Sequence, residues 1–251
     1  QSNAWSVETR NVRLYGQPIR FSNRVHPLFT DLTRYWCFTC GKDTVPREND
    51  ALARIATLDR PEIREDRWLC ETCGSMQVCE YNHVREFEVG MNWPVMWICD
   101  PHPRKPHMFL WAAVDPSDDL WVLEEGAVDG DPVEVKRYCD VMEGRMSLRV
   151  AYRGLDPNMA LSPASATRGV NWRDEFDRAG LACALCDDSH VGRERVNTYL
   201  KPDVGRWQPR LHIHKRCVQT VHQMKRYTWQ ENRQGTERAQ KQMPKDTNDD
   251  Y

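Results

Sequence analysis

The run Val95-Met-Trp-Ile-Cys99 is apolar, and it is cut off by Asp100-Pro-His-Pro-Arg-Lys-Pro-His107. A short apolar run of this kind is a strand, and its side chains alternate between faces. Met96, Ile98 and Asp100 then share one face, and Val95, Trp97 and Cys99 share the other. Pro101 cannot donate to a sheet ladder, and Pro103 and Pro106 keep the chain out of regular structure. The strand therefore ends where its only carboxylate appears. An Asp-Pro pair also opens many ordinary turns, so Asp100 becomes informative only if a second acid joins it.

Downstream, the pattern predicts a meander. His107 to Val114 and Leu120 to Glu125 are two further apolar runs, joined by the turn Asp115-Pro-Ser-Asp-Asp119. Asp115 is a rival first acid, but its place in an exposed turn explains it. Asp131-Pro132 combines a cap with proline at the first helical position and predicts a helix to Glu143. Ser147 to Arg153 reads as a fourth strand, followed by Gly154-Leu-Asp156-Pro157, a second acid before a proline. Residues 157 to 169 read as a loop. Asn171 caps a helix that Gly180 ends, and Leu181 to Leu185 is a short fifth strand. A helix (190–200), a strand (210–214) and a helix (215–227) complete the pattern.

Upstream lie Cys37-Phe-Thr-Cys40-Gly41 and Cys70-Glu-Thr-Cys73-Gly74. Each CxxC turn sets two thiolates on one side of a tetrahedral ion, and the glycine lets the backbone turn around the sulfurs. Together they predict a closed, structural zinc site, with Cys79 as a substitute ligand and a helix over 51–58 filling the gap between the knuckles. Ten cysteines without a signal peptide fit thiols and metal better than a disulfide framework. Cys183, Cys186 and Cys217, with His212 or His214, could form a second metal site, but buried thiols are the favoured reading.

The net charge of −2 excludes a globally basic nucleic-acid binder. Between His190 and Arg226, however, nine basic residues stand against two acids, Glu194 and Asp203, a net +7. This stretch, with Arg193, Arg195, Lys215 and Arg216 foremost, is the expected DNA face. No run of about 18 apolar residues offers a membrane span. The predicted organisation is a tag remnant (1–4), a connecting segment (5–36) with a strand-like stretch at 12–15, a zinc-binding module (37–80), a linker (81–94) and a main domain (95–251).

The order of meander, helix, acid-ended strand, alternating helices and strands and terminal acids resembles the ribonuclease H-like fold, an α/β fold with a mixed five-stranded sheet flanked by helices. In that fold the first and fourth strands are neighbours, which would place Asp100 beside Asp156. Close carboxylates repel, and divalent cations relieve the repulsion.

Residues 95–251 further resemble the nuclease domain of bacteriophage large terminase subunits. The resemblance lies in Asp100-Pro-His-Pro-Arg-Lys-Pro-His107, Ala113-Val-Asp-Pro116, Gly154-Leu-Asp-Pro-Asn158, Pro209-Arg-Leu-His-Ile-His-Lys-Arg-Cys217 with Tyr227-Thr-Trp229, and Lys245-Asp-Thr-Asn-Asp-Asp250. It implies an endonuclease that cuts concatemeric double-stranded viral DNA during packaging. Asp100, Asp156 and Asp249 or Asp250 would then hold two Mg²⁺ or Mn²⁺ ions. His102 and His107 would be a water ligand or proton relay, and Arg104 and Lys105 would hold phosphates. It implies as partners a packaging ATPase domain, the small terminase subunit and the portal, in the cytoplasm of an infected bacterial host. No GxxxxGK[ST] loop occurs here, so the ATPase is expected elsewhere. Two other readings are a recombinase or junction resolvase of the same fold, and a non-catalytic zinc-stabilised module that binds DNA or protein.

Overall fold

A computed structural model describes residues 24–48, 68–164, 169–187 and 190–229. In chain order its elements are β1 (Arg34–Cys37), β2 (Lys42–Thr44), β3 (Pro46–Glu48), β4 (Trp68–Cys70), β5 (Val78–Tyr81), β6 (Val84–Arg85), β7 (Val95–Asp100), β8 (His107–Val114) and β9 (Leu120–Val128). Then come α1 (Pro132–Met146), β10 (Val150–Leu155), α2 (Pro157–Ala160), α3 (Trp172–Arg178), β11 (Ala184–Leu185), α4 (His190–Leu200), β12 (Leu211–His214) and α5 (Val218–Arg226). The expected tag remnant, the strand-like stretch at 12–15, the helix at 51–58 and both terminal acids, Asp249 and Asp250, lie outside the described residues. Among the described residues, no helix is long and apolar enough to cross a membrane.

The main sheet has seven strands in the order β11-β10-β7-β8-β9-β12-β6. β7, β8 and β9 form the predicted antiparallel meander, and β10 lies parallel to β7. The expected neighbouring of first and fourth strands is therefore present. The expected count of five is corrected to seven. β12 pairs parallel with the outer edge of β9, and β6 pairs with β12, so the backbone groups of β9 find partners on both sides. β6 falls within the stretch read from sequence as a linker.

Alternation decides what each face does. Val95, Trp97 and Cys99 of β7 are buried with Phe109, Trp111, Val135, Cys139, Leu155 and Phe176, sealed by α1 and α3. Burying a phenylalanine such as Phe109 or Phe176 contributes about 1.5–3 kcal/mol. α1 begins where the sequence places it, with the Asp131 carboxylate accepting from the backbone N–H groups of Val133 and Glu134. On the opposite face, Ala112, Val122, Leu211 and Ile213 are covered by Leu200 of α4, by Cys217 and by Phe29. That cover lies over the β8, β9 and β12 side. Met96, Ile98 and Asp100 of β7 stay half-buried. Instead of an open loop, Pro157–Ala160 forms the short helix α2 directly after Asp156.

The cysteine-rich part is docked on this domain. β1 pairs with β2 and β5, and β3 pairs with β4. Phe38 meets Trp207 edge to face at 5.3 Å, and the Lys201 ammonium lies 5.8 Å from the Trp36 ring centre. The segment read as connecting also contributes to the core, since Phe29 is fully buried and stacks on His83 at 5.5 Å.

Candidate metal centres

The two knuckles meet. One ligand atom from each of Cys37, Cys40, Cys70 and Cys73 lies within 4.8 Å of all the others, so the four can hold one metal ion. Cys37 and Cys73 sulfurs are 3.7 Å apart, and those of Cys40 and Cys70 are 3.9 Å apart. A tetrahedron with metal–sulfur bonds of about 2.3 Å has edges of about 3.8 Å. Each turn closes in the same way: Gly41 N–H donates to the Cys37 carbonyl and Gly74 N–H to the Cys70 carbonyl, both at 2.8 Å. Gly41 (φ +65°) and Gly74 (φ +70°) occupy the left-handed region that favours glycine. Burial pushes the Cys70 thiol up, but the Thr44 hydroxyl at 3.1 Å and the backbone N–H groups of Cys73 and Thr72 favour the thiolate and bring it down to about 6. Cys79, the substitute ligand, is buried on β5 and does not belong to the cluster; burial raises its thiol to about 12.

The second group of donors stands at one end of the main sheet. Leu155 is the register partner of Cys99, and the next residue on each strand is an acid. Asp156 N–H donates to the Cys99 carbonyl at 2.9 Å, so the ladder continues into the row that holds Asp100 and Asp156. Neighbouring strands are about 4.8 Å apart, the spacing at which two carboxylates can share a hard cation. Oδ1 of Asp156 accepts from Met159 N–H at 3.0 Å as the cap of α2, which fixes the side chain. Asp115 does not join them. Its Oδ1 accepts from the N–H groups of Ser117 and Asp119 and its Oδ2 from Trp121 Nε1, so it holds its own hairpin turn.

The two histidines part company. On β8, Met108 is the partner of Asp100, so His107 points to the other face. His107 is buried among Trp172 and Phe176, its Nδ1 accepts from His102 N–H at 3.1 Å, and Nε2 bonds the Gly130 carbonyl at 3.1 Å. Burial lowers its pKa, so the ring is neutral and structural. The sheet does not bring His107 to the acids. His102 lies in the loop after β7, and its Nδ1 accepts from the N–H groups of Arg104 and Lys105 at 3.1 and 3.0 Å. The neutral tautomer then carries its proton on Nε2, a donor rather than a metal ligand or base. Arg104 and Lys105 are exposed beside it.

The basic stretch is less open than its charge implies. Arg206 and Arg210 pair with the buried Asp119 at 3.1 and 3.3 Å, and Arg210 also pairs with Asp118. Lys215 reaches Glu86 at 3.7 Å, Arg216 reaches Glu124 at 3.5 Å, and Lys225 reaches Asp31 at 2.6 Å. Arg193, Arg195, Lys201 and Arg226 have no ion pair among the described residues.

The remaining cysteines do not form a second thiol site. Cys183 lies in the core under β7 and Cys217 in the core on the other side of the sheet. Burial raises the Cys183 thiol to about 12, and raises that of Cys217 as well. His212 is buried and neutral, its ring centre 4.1 Å from that of Trp121 and tilted by 36°, and His214 accepts from Arg216. Cys186 was read together with Cys183 because of their CxxC spacing. It instead faces the acid row, and the pairing of β11 with β10 is the signal that places it there.

The described chain is thus a mixed α/β domain with a multi-stranded sheet and a docked four-cysteine unit. Its structure is similar to those of large terminase nuclease domains. The nuclease domain of the P22 large terminase aligns with a TM-score of 0.48 and 12% identity, over 66% of this chain and 79% of that one. A large terminase from a thermophilic bacteriophage aligns with a TM-score of 0.47 and 17% identity, over 67% of this chain but 39% of that one. The large terminase nuclease of a second thermophilic phage, G20c, with bound cobalt aligns at 0.41 and 10%, over 89% and 87% of the two chains. No family model and no curated protein matches the sequence.

Proposed function

We propose that this chain is a metal-dependent endonuclease of ribonuclease H-like fold that cuts double-stranded DNA, and that its four-cysteine unit is a structural zinc site. The observation that carries the reading is the pairing of β7 with β10, which sets Asp100 and Asp156 side by side at the end of the sheet. The order β9-β8-β7-β10-β11, with β8 alone antiparallel to its neighbours, supports the fold assignment. Carboxylate oxygens suit Mg²⁺ or Mn²⁺, and four thiolates suit zinc.

In this reading Asp100 and Asp156 bind the catalytic ions, with Asp249 or Asp250 as the third carboxylate. Divalent ions held by these carboxylates would supply an activated water and neutralise charge at the leaving 3′ oxygen. His102 donates Nε2–H to a phosphate oxygen, and the adjacent Arg104 and Lys105 hold the strand. Arg193 and Arg195 extend the DNA contact, while Lys215 and Arg216 contribute less because each already faces a carboxylate. The substrate is concatemeric viral DNA, and the proposed partners are a packaging ATPase domain, the small terminase subunit and the portal, in the infected host's cytoplasm.

Incubation of supercoiled plasmid with the protein and Mn²⁺ tests the proposal. Nicking that disappears in Asp100→Asn is the expected result. No nicking, or equal nicking by the variant, overturns it, and preference for branched over linear DNA would favour a junction resolvase.

A further inference from the structure

β11, β10 and β7 are parallel neighbours, and Leu185, Leu155 and Cys99 face one another across them. The next residue on each strand is a metal-ligand type: Cys186, Asp156 and Asp100. The ladder reaches this row on both sides of Asp156, since Asp156 N–H donates to the Cys99 carbonyl and Cys186 N–H to the Leu155 carbonyl, each at 2.9 Å. The sulfur also lies on the acid face. A Cβ placed on Gly154 would stand 2.5 Å from Cys186 Sγ and 3.1 Å from Ile98 Cδ1, and Ile98 shares its face with Asp100. Any larger residue at 154 would occupy the sulfur's place.

The row is a line, not a ring. With strands about 4.8 Å apart, Asp156 has a ligand-type residue on each side, while the outer two are about twice that distance from each other. The Cys186 thiol lies over Gly154 with the Tyr152 side chain as its hydrogen-bond partner and must give up that bond to reach a cation at Asp156. Three donors in this arrangement do not close on one ion, consistent with the four cysteines being the only mutually close group of three or more among the described residues. A central carboxylate between two donors is instead the arrangement of a bridging ligand. Cys186 is also half-exposed, whereas Cys79, Cys99, Cys139, Cys183 and Cys217 are buried.

We propose that Asp156 is the shared ligand of two divalent-cation positions, one completed by Asp100 and the other by the Cys186 thiolate, so that the second position favours a thiophilic cation over Mg²⁺. This rests on reading the acid row as a metal centre. Sulfur prefers softer ions, and Mg²⁺ prefers oxygen. On ligation the thiol proton passes to the buffer.

The test is a Co²⁺ titration of protein whose four-cysteine unit is already filled with zinc, which binds such sites more tightly than cobalt. The expected result is a sulfur-to-cobalt charge-transfer band that Cys186→Ser abolishes, with an about tenfold loss of Co²⁺ affinity and little change in Mg²⁺ affinity. In the unmutated chain, Co²⁺ should slow iodoacetamide alkylation of Cys186, read by mass spectrometry, and Mg²⁺ should not. An unchanged band in Cys186→Ser, or alkylation indifferent to Co²⁺, overturns the proposal. A protein that nicks plasmid in Mn²⁺ without the band keeps the nuclease reading and loses this one. A protein that binds Co²⁺ through Cys186 and never nicks does the reverse.

Discussion

The four sulfurs of the cysteine cluster come from two tight turns, each supplying a pair three residues apart, whereas Asp100 and Asp156 come from strands separated by two further strands and a helix. The first group has four donors around one point. The second is a row that ends in a half-open face. A complete thiolate shell has no position left for substrate and suits a structural ion, while two neighbouring carboxylates leave positions for water and phosphate. The difference lies in how each is built: local turn geometry makes a closed site, and sheet topology makes an open one.

The largest expected effect is on the closed site. Cys37→Ser, or chelation of the metal, should remove much of the about 10 kcal/mol that a structural zinc site contributes. The loss should reach the main domain through Phe38 and Trp207, seen as a lower melting temperature and an exposed tryptophan signal. A variant that keeps both zinc and melting temperature would break the comparison. The open site should behave in the opposite way. Asp156→Asn should cut Mn²⁺-dependent nicking by about 100-fold or more yet leave the melting temperature unchanged or raised, because asparagine still caps α2 and carboxylate repulsion falls. A fall in stability without a fall in activity would contradict it.

The histidines sharpen the same contrast. His107→Ala should cost about 2–4 kcal/mol, through a cavity and stranded hydrogen bonds, as read by urea denaturation. His102→Ala should leave most of that stability and weaken DNA binding. Acid stability supplies a background common to both sites. Burial lowers His83 to about 4 and His212 to about 3, from an unfolded value near 6.5. The unfolded chain therefore binds more protons below pH 6.5, so stability is complete above that value and falls as pH drops, by about 1.4 kcal/mol per pH unit for each group, down to about 4 for His83 and about 3 for His212. Equal melting temperatures at pH 7 and pH 5 would contradict this. The smallest effect is on salt dependence. Arg193→Glu with Arg195→Glu should reduce DNA affinity and its salt slope more than the same change at Lys215 and Arg216, which already face Glu86 and Glu124.

What the sequence disclosed follows the same division. The CxxC turns, the Asp131-Pro132 start of α1, the alternation in β7 and the Asn171 capping box are decided within a few residues, and each stands where its local chemistry puts it. The two-residue strand β6 has no period to read and exists only because β12 offers it an edge, while the fifth strand expected over 181–185 is confined to the two residues of β11 that pair with β10. The charge of the basic stretch was countable, but the acids that meet it, Asp118 and Asp119 on the hairpin and Asp31 near the start of the described chain, are remote in sequence. His107 was within sequence reach of Asp100 and lies on the opposite face, because antiparallel register, not proximity, decides which side chains meet. Of the pair Cys183 and Cys186, favoured from sequence as buried thiols, Cys183 does enter the core, whereas Cys186 lies half-buried on the face of the acid row, a difference that only the pairing of β11 with β10 decides.

Anomalous scattering from crystals of the zinc-loaded protein grown with Mn²⁺, recorded above the zinc and manganese edges, tests the two-site account most directly. It predicts a zinc peak among Cys37, Cys40, Cys70 and Cys73 and a manganese peak between Asp100 and Asp156. Manganese bound elsewhere, with the Asp100–Asp156 row empty at saturating concentration, would contradict it.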